Sequence, residues 1–154
     1  MLKEISSVLT VDNDPIIRQV ITAFFARHGV ENVWQAENGD EAISVLKTHQ
    51  EIDLIVSDLY MPETDGVEFM AHLHEIGSRI PIIVVSSADR RTVFAAETLA
   101  NAQQLNFIAS LPKPLDIQEM EAVLGERPNR TKAAACSSST GMASNADQSC
   151  FALR

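Results

Sequence analysis

The sequence predicts an α/β fold in which a doubly wound, five-stranded parallel sheet is flanked by helices. Two observations lead there. Short apolar runs alternate five times with segments of helical periodicity, which implies parallel strands joined by right-handed crossovers. The central run, Leu54-Ile55-Val56, is continuous rather than alternating, as a strand covered on both faces requires. A chain of 154 residues, 45% of them hydrophobic, can enclose one substantial core.

Taken in order, Ser7 to Val11 reads as a buried strand that stops at Asp12-Asn13-Asp14-Pro15, where Asp14 can cap a helix and Pro15 can occupy its first position. Ile17, Val20, Ile21, Phe24 and Phe25 follow at helical spacing, and Gly29 ends that helix. Val33 to Ala36 forms a second strand, Asn38-Gly39 a turn, and Asp40 to His49 a helix with Ala42, Ile43 and Leu46 turned inward. The third strand runs into Asp58. Beyond the turn signals Met61-Pro62 and Asp65-Gly66 comes a helix to about Ile76, then the strand Pro81 to Val85, a helix from about Asp89 to Gln103, and the strand Phe107 to Ala109. A last helix spans Leu115 to Leu124, with Ile117, Met120 and Leu124 on one stripe. Trp34, the only tryptophan, reads as a packing residue of the second strand.

Composition narrows the function. The net charge is -9 and the basic residues are scattered singly, so no electrostatic footprint for nucleic acid or anionic lipid is present, and direct DNA binding is not expected. No apolar run approaches the roughly 20 residues of a membrane span, and Met-Leu-Lys-Glu-Ile at the amino terminus lacks the apolar stretch of a secretory signal. A cytoplasmic location is the expectation. Two late cysteines, Cys136 and Cys150, provide no disulfide framework or metal knuckle.

The domain is expected to occupy residues 1–125, with 126–154 a disordered tail. Arg127, Arg130, Lys132 and Arg154 against Glu126 and Asp147 give that tail a charge of +2, so with -9 for the whole chain the acidity, -11, belongs to the domain. The tail is rich in Ser, Thr, Ala and Asn, with little to bury before Phe151 and Leu153. A docking motif built on those two residues is the sharper alternative.

In open parallel sheets, ligands bind beyond the carboxyl ends of the strands. The residues there are Asp12, Asn13 and Asp14 after the first strand, Asp58 after the third, Ser86 and Ser87 after the fourth, and Lys113 after the fifth. Carboxylates gathered with a hydroxyl and a lysine are poor core material but suit a phosphoryl group beside a hard cation.

Four ordered motifs at strand ends resemble the response-regulator receiver family: Val11-Asp12-Asn13-Asp14-Pro15, Ser57-Asp58-Leu59-Tyr60-Met61-Pro62 with Asp65-Gly66, Pro81 to Ser87, and Lys113-Pro114. The likeness covers about residues 5 to 124. It implies a flavodoxin-like receiver fold of the chemotaxis type. It also implies that Asp58 is a nucleophile taking a phosphoryl group from a phosphohistidine, and that Mg²⁺ is held by Asp12, Asn13, Asp58 and the backbone carbonyl of Tyr60. Lys113 would pair with a phosphoryl oxygen and Ser86 would donate its hydroxyl to the same group. The implied partners are a sensor histidine kinase or phosphotransfer protein, a separate effector, and a second copy of the chain in a homodimer. Enzymatic action on an external substrate is not implied.

Two positions depart from the family pattern. Asn13 stands where a second carboxylate is usual, which removes charge from the metal site. Ser110 stands where the family carries its switch aromatic, three residues before the lysine. The stretch from Asn106 to Leu115 is similar to receivers of cyclic-di-GMP phosphodiesterase regulators, and this chain is expected to act as a stand-alone relative.

Three readings follow. A phosphoacceptor switch is favoured. A pseudo-receiver, an interaction module that needs no phosphorylation, draws support from Asn13 and Ser110. A flavin binder or small hydrolase of similar architecture is the third, but the acidic loop after the first strand would repel phosphate without a metal.

Overall fold

The structure is a computed structural model that describes residues 4–60 and 66–126. Its elements alternate without exception: β1 (Ser7–Val11), α1 (Pro15–Arg27), β2 (Asn32–Ala36), α2 (Gly39–Thr48), β3 (Leu54–Ser57), α3 (Gly66–Glu75), β4 (Ile82–Ser86), α4 (Arg90–Ala102), β5 (Phe107–Pro112) and α5 (Ile117–Glu126). The strands form one parallel sheet in the order β2-β1-β3-β4-β5. This is the flavodoxin-like receiver fold that the alternation and the strand-end motifs predict.

The chain divides into two compact units at Ile117 and Gln118. The first contains the whole sheet and helices α1 to α4. The described part of the second is nearly all of α5, in which Met120 and Leu124 are buried. Of the tail expected over 126–154, Glu126 is the last residue of α5 and the rest lies outside the described residues, as do Met61-Pro62 and Asp65.

Within the first unit, strand alternation decides which residues meet which helices. Leu9 and Val11 of β1, Ile55 of β3, and Ile82 and Val84 of β4 join a buried cluster with Ala42 and Leu46 of α2, Phe69, Met70 and Leu73 of α3, and Ala96 and Ala100 of α4. The intervening residues Val8, Thr10, Leu54, Val56 and Ile83 are equally buried and have the opposite parity. Helix α1 contributes Ile21, Phe24 and Phe25 outside that cluster. Burying side chains of this size stabilises the fold by roughly 1.5–3 kcal/mol each, so the two faces dominate the energetics.

Some local expectations needed correction. Val20 is 38% exposed, so α1 buries a narrower stripe than its apolar spacing suggests. Asn38 is a helix cap rather than a free turn: its side chain accepts from the Glu41 N–H at 2.8 Å. Strand β5 extends to Pro112, three residues beyond Ala109, and carries a bulge against β4 that shifts its register by one residue. Asp14 caps α1 as expected, accepting from the Ile16 N–H at 2.9 Å. Trp34 packs against the core and stacks on His49, the ring centroids 3.7 Å apart.

Candidate functional site

Strand register brings the acidic residues together. Val11 stands opposite Ser57 across the β1–β3 pair, so the next residues, Asp12 and Asp58, leave the sheet side by side. This is also where the strand order reverses, the crevice in which open α/β sheets bind ligands. The backbone holds both ends: the Asp12 N–H donates to Ala36 O at 3.1 Å and the Asp58 N–H to Val11 O at 2.9 Å.

Lys113 arrives from the other side of the sheet. Because of the bulge in β5, Pro112 rather than Leu111 stands opposite Ser86, and the Lys113 N–H donates to Ser86 O at 3.0 Å. From β5 to β3 is two strand spacings, about 9.6 Å, a gap that a long side chain can cross. The ammonium lies 2.8 Å from Asp12 Oδ2 and 3.0 Å from Asp58 Oδ2. The Lys113–Pro114 peptide is cis.

Asp58 is 5% exposed and Asp12 2%, so two buried carboxylates share one half-buried cation. Their second oxygens are also held: Asp58 Oδ1 accepts from the backbone N–H groups of Leu59 at 2.6 Å and Tyr60 at 3.2 Å, and Asp12 Oδ1 accepts from the Asp14 N–H at 2.9 Å. Burial raises the Asp12 carboxyl above its ordinary range; hydrogen bonds from Lys113 and Asp14 oppose that rise, and the Asp58 charge adds to it. For Lys113, burial pulls the ammonium down, but its hydrogen bonds to Asp12 and Asp58, with their charges, outweigh burial and leave it above the usual lysine value.

The remaining expected residues stand around this centre. Ser86 is buried at the end of β4, and its Oγ accepts from the Ala88 N–H at 3.0 Å, which leaves the hydroxyl hydrogen to be donated. Asn13 follows Asp12 directly and Ser87 follows Ser86; both are exposed. Tyr60 is 55% exposed, and its backbone sits beside Asp58. Ser110 lines a groove of about 690 Å³ between α4 and β5, with Ser86, Val93, Phe94 and Leu111. Phe94 at its edge is 69% exposed.

Two contributors were not anticipated. Gly66 starts α3 against the Asp58 loop: a Cβ there would meet Asp58 O at 2.3 Å and the Leu59 Cα at 2.6 Å, so only hydrogen fits. The sequence marks Asp65-Gly66 as a turn but does not show what the glycine touches. Arg18, in the first turns of α1, donates from its guanidinium to the backbone carbonyl of Asp12.

The donors suit a hard cation. They are oxygens, and two carboxylates already converge on one positive charge. Among the described residues no three His, Cys, Asp or Glu side chains converge, and Asn13 follows Asp12 in the chain with its side chain exposed.

Comparison with known proteins agrees with this architecture. Residues 8–125 match the response regulator receiver domain family. The probable C4-dicarboxylate response regulator DctR of Priestia megaterium is 28% identical over 125 residues, 80% of this chain and 52% of the relative. The cyclic di-GMP phosphodiesterase RocR of Pseudomonas aeruginosa is 26% identical over 118 residues, 77% of this chain and 30% of the relative. The chain thus spans about half of one and less than a third of the other. Among solved structures, the CheX-CheY-BeF3-Mg complex from Borrelia burgdorferi contains a chain that superposes with a TM-score of 0.70 at 22% identity, covering 80% of this chain and 90% of that one.

Proposed function

This chain belongs to the response regulator receiver family, and on that premise we propose that it is a two-component signalling receiver whose Asp58 accepts a phosphoryl group from a sensor histidine kinase or phosphotransfer protein. The observation that carries the reading is the single ammonium of Lys113 shared by Asp12 and Asp58 at the point where the strand order reverses. Buried ion pairs are often no more stabilising than apolar side chains of similar volume, so such a cluster is poorly explained by stability alone.

In the proposed step, an Asp58 carboxylate oxygen forms a bond to phosphorus as the bond from phosphorus to the donor imidazole breaks, and the histidine departs unphosphorylated. Lys113 then exchanges its contact with Asp58 Oδ2 for a phosphoryl oxygen. Ser86 donates its hydroxyl hydrogen to a second oxygen, drawing the loop through Ala88 toward the site. Asp12, Asn13, Asp58 and the Tyr60 carbonyl would hold Mg²⁺, which would supply positive charge against the transferring group.

Ser86 and Ala88 line the same groove as Ser110 and Phe94, so in this reading their movement would reshape the surface that a separate effector reads. This reading calls for no action on an external substrate. We further propose that the domain occupies residues 1–125 and meets its kinase or phosphotransfer partner in the cytoplasm. Among the described residues no helix is long and apolar enough to cross a membrane.

A second reading is a pseudo-receiver that binds its partner without phosphorylation, favoured by Asn13 beside the acidic pair and Ser110 in the groove. Amide NMR separates the two. On adding Mg²⁺ and beryllofluoride, the phosphoacceptor reading expects shifts at Asp58, Ser86 and Lys113 that Asp58→Ala abolishes. A spectrum unchanged by beryllofluoride would favour the pseudo-receiver.

A further inference from the structure

We propose that Arg18 is a positioning residue that fixes Asp12 for cation binding, an inference that rests on the phosphoacceptor reading of the site. Strand β1 ends at Val11, and its partner β2 ends at Ala36, which still accepts from the Asp12 N–H. The sheet therefore runs out at the residue whose geometry matters most. At that point the Arg18 guanidinium donates through one terminal nitrogen to the Asp12 carbonyl and through Nε to Gln35 Oε1 on β2 at 3.1 Å.

The side chain is itself anchored. Arg18 is half-buried, and its backbone N–H donates to Asp14 O at 3.2 Å in the first turn of α1. A planar fork bonded at two nitrogens fixes direction as well as distance, which a lysine in its place does not. One side chain thus ties the end of β1, the edge strand β2 and the start of α1 to a single carbonyl.

The consequence falls on the carboxylate of Asp12. With its N–H on Ala36 O, its carbonyl on Arg18, Oδ1 on the Asp14 N–H and Oδ2 on Lys113, Asp12 is held at every polar atom. When a cation takes the place of Lys113 at Oδ2, the carbonyl contact remains and keeps the carboxylate aimed beside Asp58. Groups that hold a metal ligand in this way typically alter metal affinity by about 10- to 100-fold when removed. An ordinary surface brace would change unfolding without changing affinity.

The test is a Mg²⁺ titration of the full chain, followed by beryllofluoride binding in saturating Mg²⁺ and thermal unfolding without metal. Four proteins are compared: wild type, Arg18→Met, Arg18→Lys and Gln35→Met. Arg18→Met should weaken Mg²⁺ binding about tenfold or more, Arg18→Lys should recover part of the loss, and Gln35→Met, which keeps the bond to Asp12 but releases the fork, should lose less than Arg18→Met. Should Arg18→Met fail to fold, Gln35→Met and Arg18→Lys still decide the matter by their weaker binding. Mg²⁺ affinity within about twofold of wild type in all three variants would overturn the assignment and leave the phosphoacceptor reading standing. A wild-type chain that binds neither Mg²⁺ nor beryllofluoride would overturn both.

Discussion

Asp12 and Asp58 are bridged by one ammonium, Lys113 Nζ, at 2.8 and 3.0 Å, and both carboxylates are almost wholly buried. In the metal-free protein that lysine is the counter-ion of the pair. Lys113→Met should therefore destabilise the chain by about 3 kcal/mol, the usual cost of stranding a buried charge. Added Mg²⁺ should stabilise the variant more than it stabilises wild type, because no ammonium competes for the same oxygens. Urea unfolding with and without Mg²⁺ checks both points, and equal metal-free stability would show that the carboxylates do not depend on Lys113.

The pH dependence of stability follows from two groups. Lys113 has a raised folded value, so its stabilising contribution is complete below the unfolded lysine value of 10.5 and is lost as pH rises through the higher folded value. Asp12 is also raised, so the folded state binds its proton more tightly than the unfolded state, and stability falls as pH climbs from 3.8 through the raised value. Asp12→Asn should flatten that acid-side decline. Unfolding midpoints of both proteins across the acid range without Mg²⁺ measure it, and parallel curves would count against the assignment of the shift to Asp12.

Much of this site was legible from the chain. Asp12, Asp58 and Lys113 follow apolar runs whose alternation with helices fixes a parallel sheet, and a parallel sheet collects its carboxyl ends at one edge. What stayed hidden depends on register and tilt. Nothing in Phe107 to Pro112 signals the bulge that seats Lys113, because a one-residue slip leaves no mark on composition. The contact of Arg18 with Asp12 spans six residues across a helix start, a separation that no periodic rule covers. Val20 fits an apolar helical stripe yet faces outward, since spacing alone does not set how wide a stripe the sheet will cover.

Gly66 should tolerate no side chain. A methyl group there would lie 2.3 Å from Asp58 O, so Gly66→Ala must displace the backbone that carries the acceptor residue. The expected cost is about 1–3 kcal/mol of stability, as for other overpacked sites, with weaker beryllofluoride binding in parallel. Calorimetric unfolding together with a beryllofluoride titration tests it; wild-type values in both would mean that the loop has slack.

Asn13→Asp should tighten Mg²⁺ binding. A third carboxylate adds one full negative charge next to Asp12, and a unit charge at about 4 Å contributes on the order of 1–4 kcal/mol between bulk-water and near-surface screening, roughly fivefold or more in affinity. A calorimetric Mg²⁺ titration reads the change, and an unaltered affinity would place residue 13 away from the metal.

The most direct test of the account is intact-mass spectrometry of the purified chain after brief incubation with Mg²⁺ and acetyl phosphate, beside an Asp58→Ala control. Acetyl phosphate passes its phosphoryl group to the carboxylate and leaves as acetate, so a working acceptor gains one phosphoryl group. The account predicts a single adduct on the wild-type chain and none on the variant. No adduct on either protein, or the same adduct on both, would contradict the assignment of Asp58 as the phosphoacceptor.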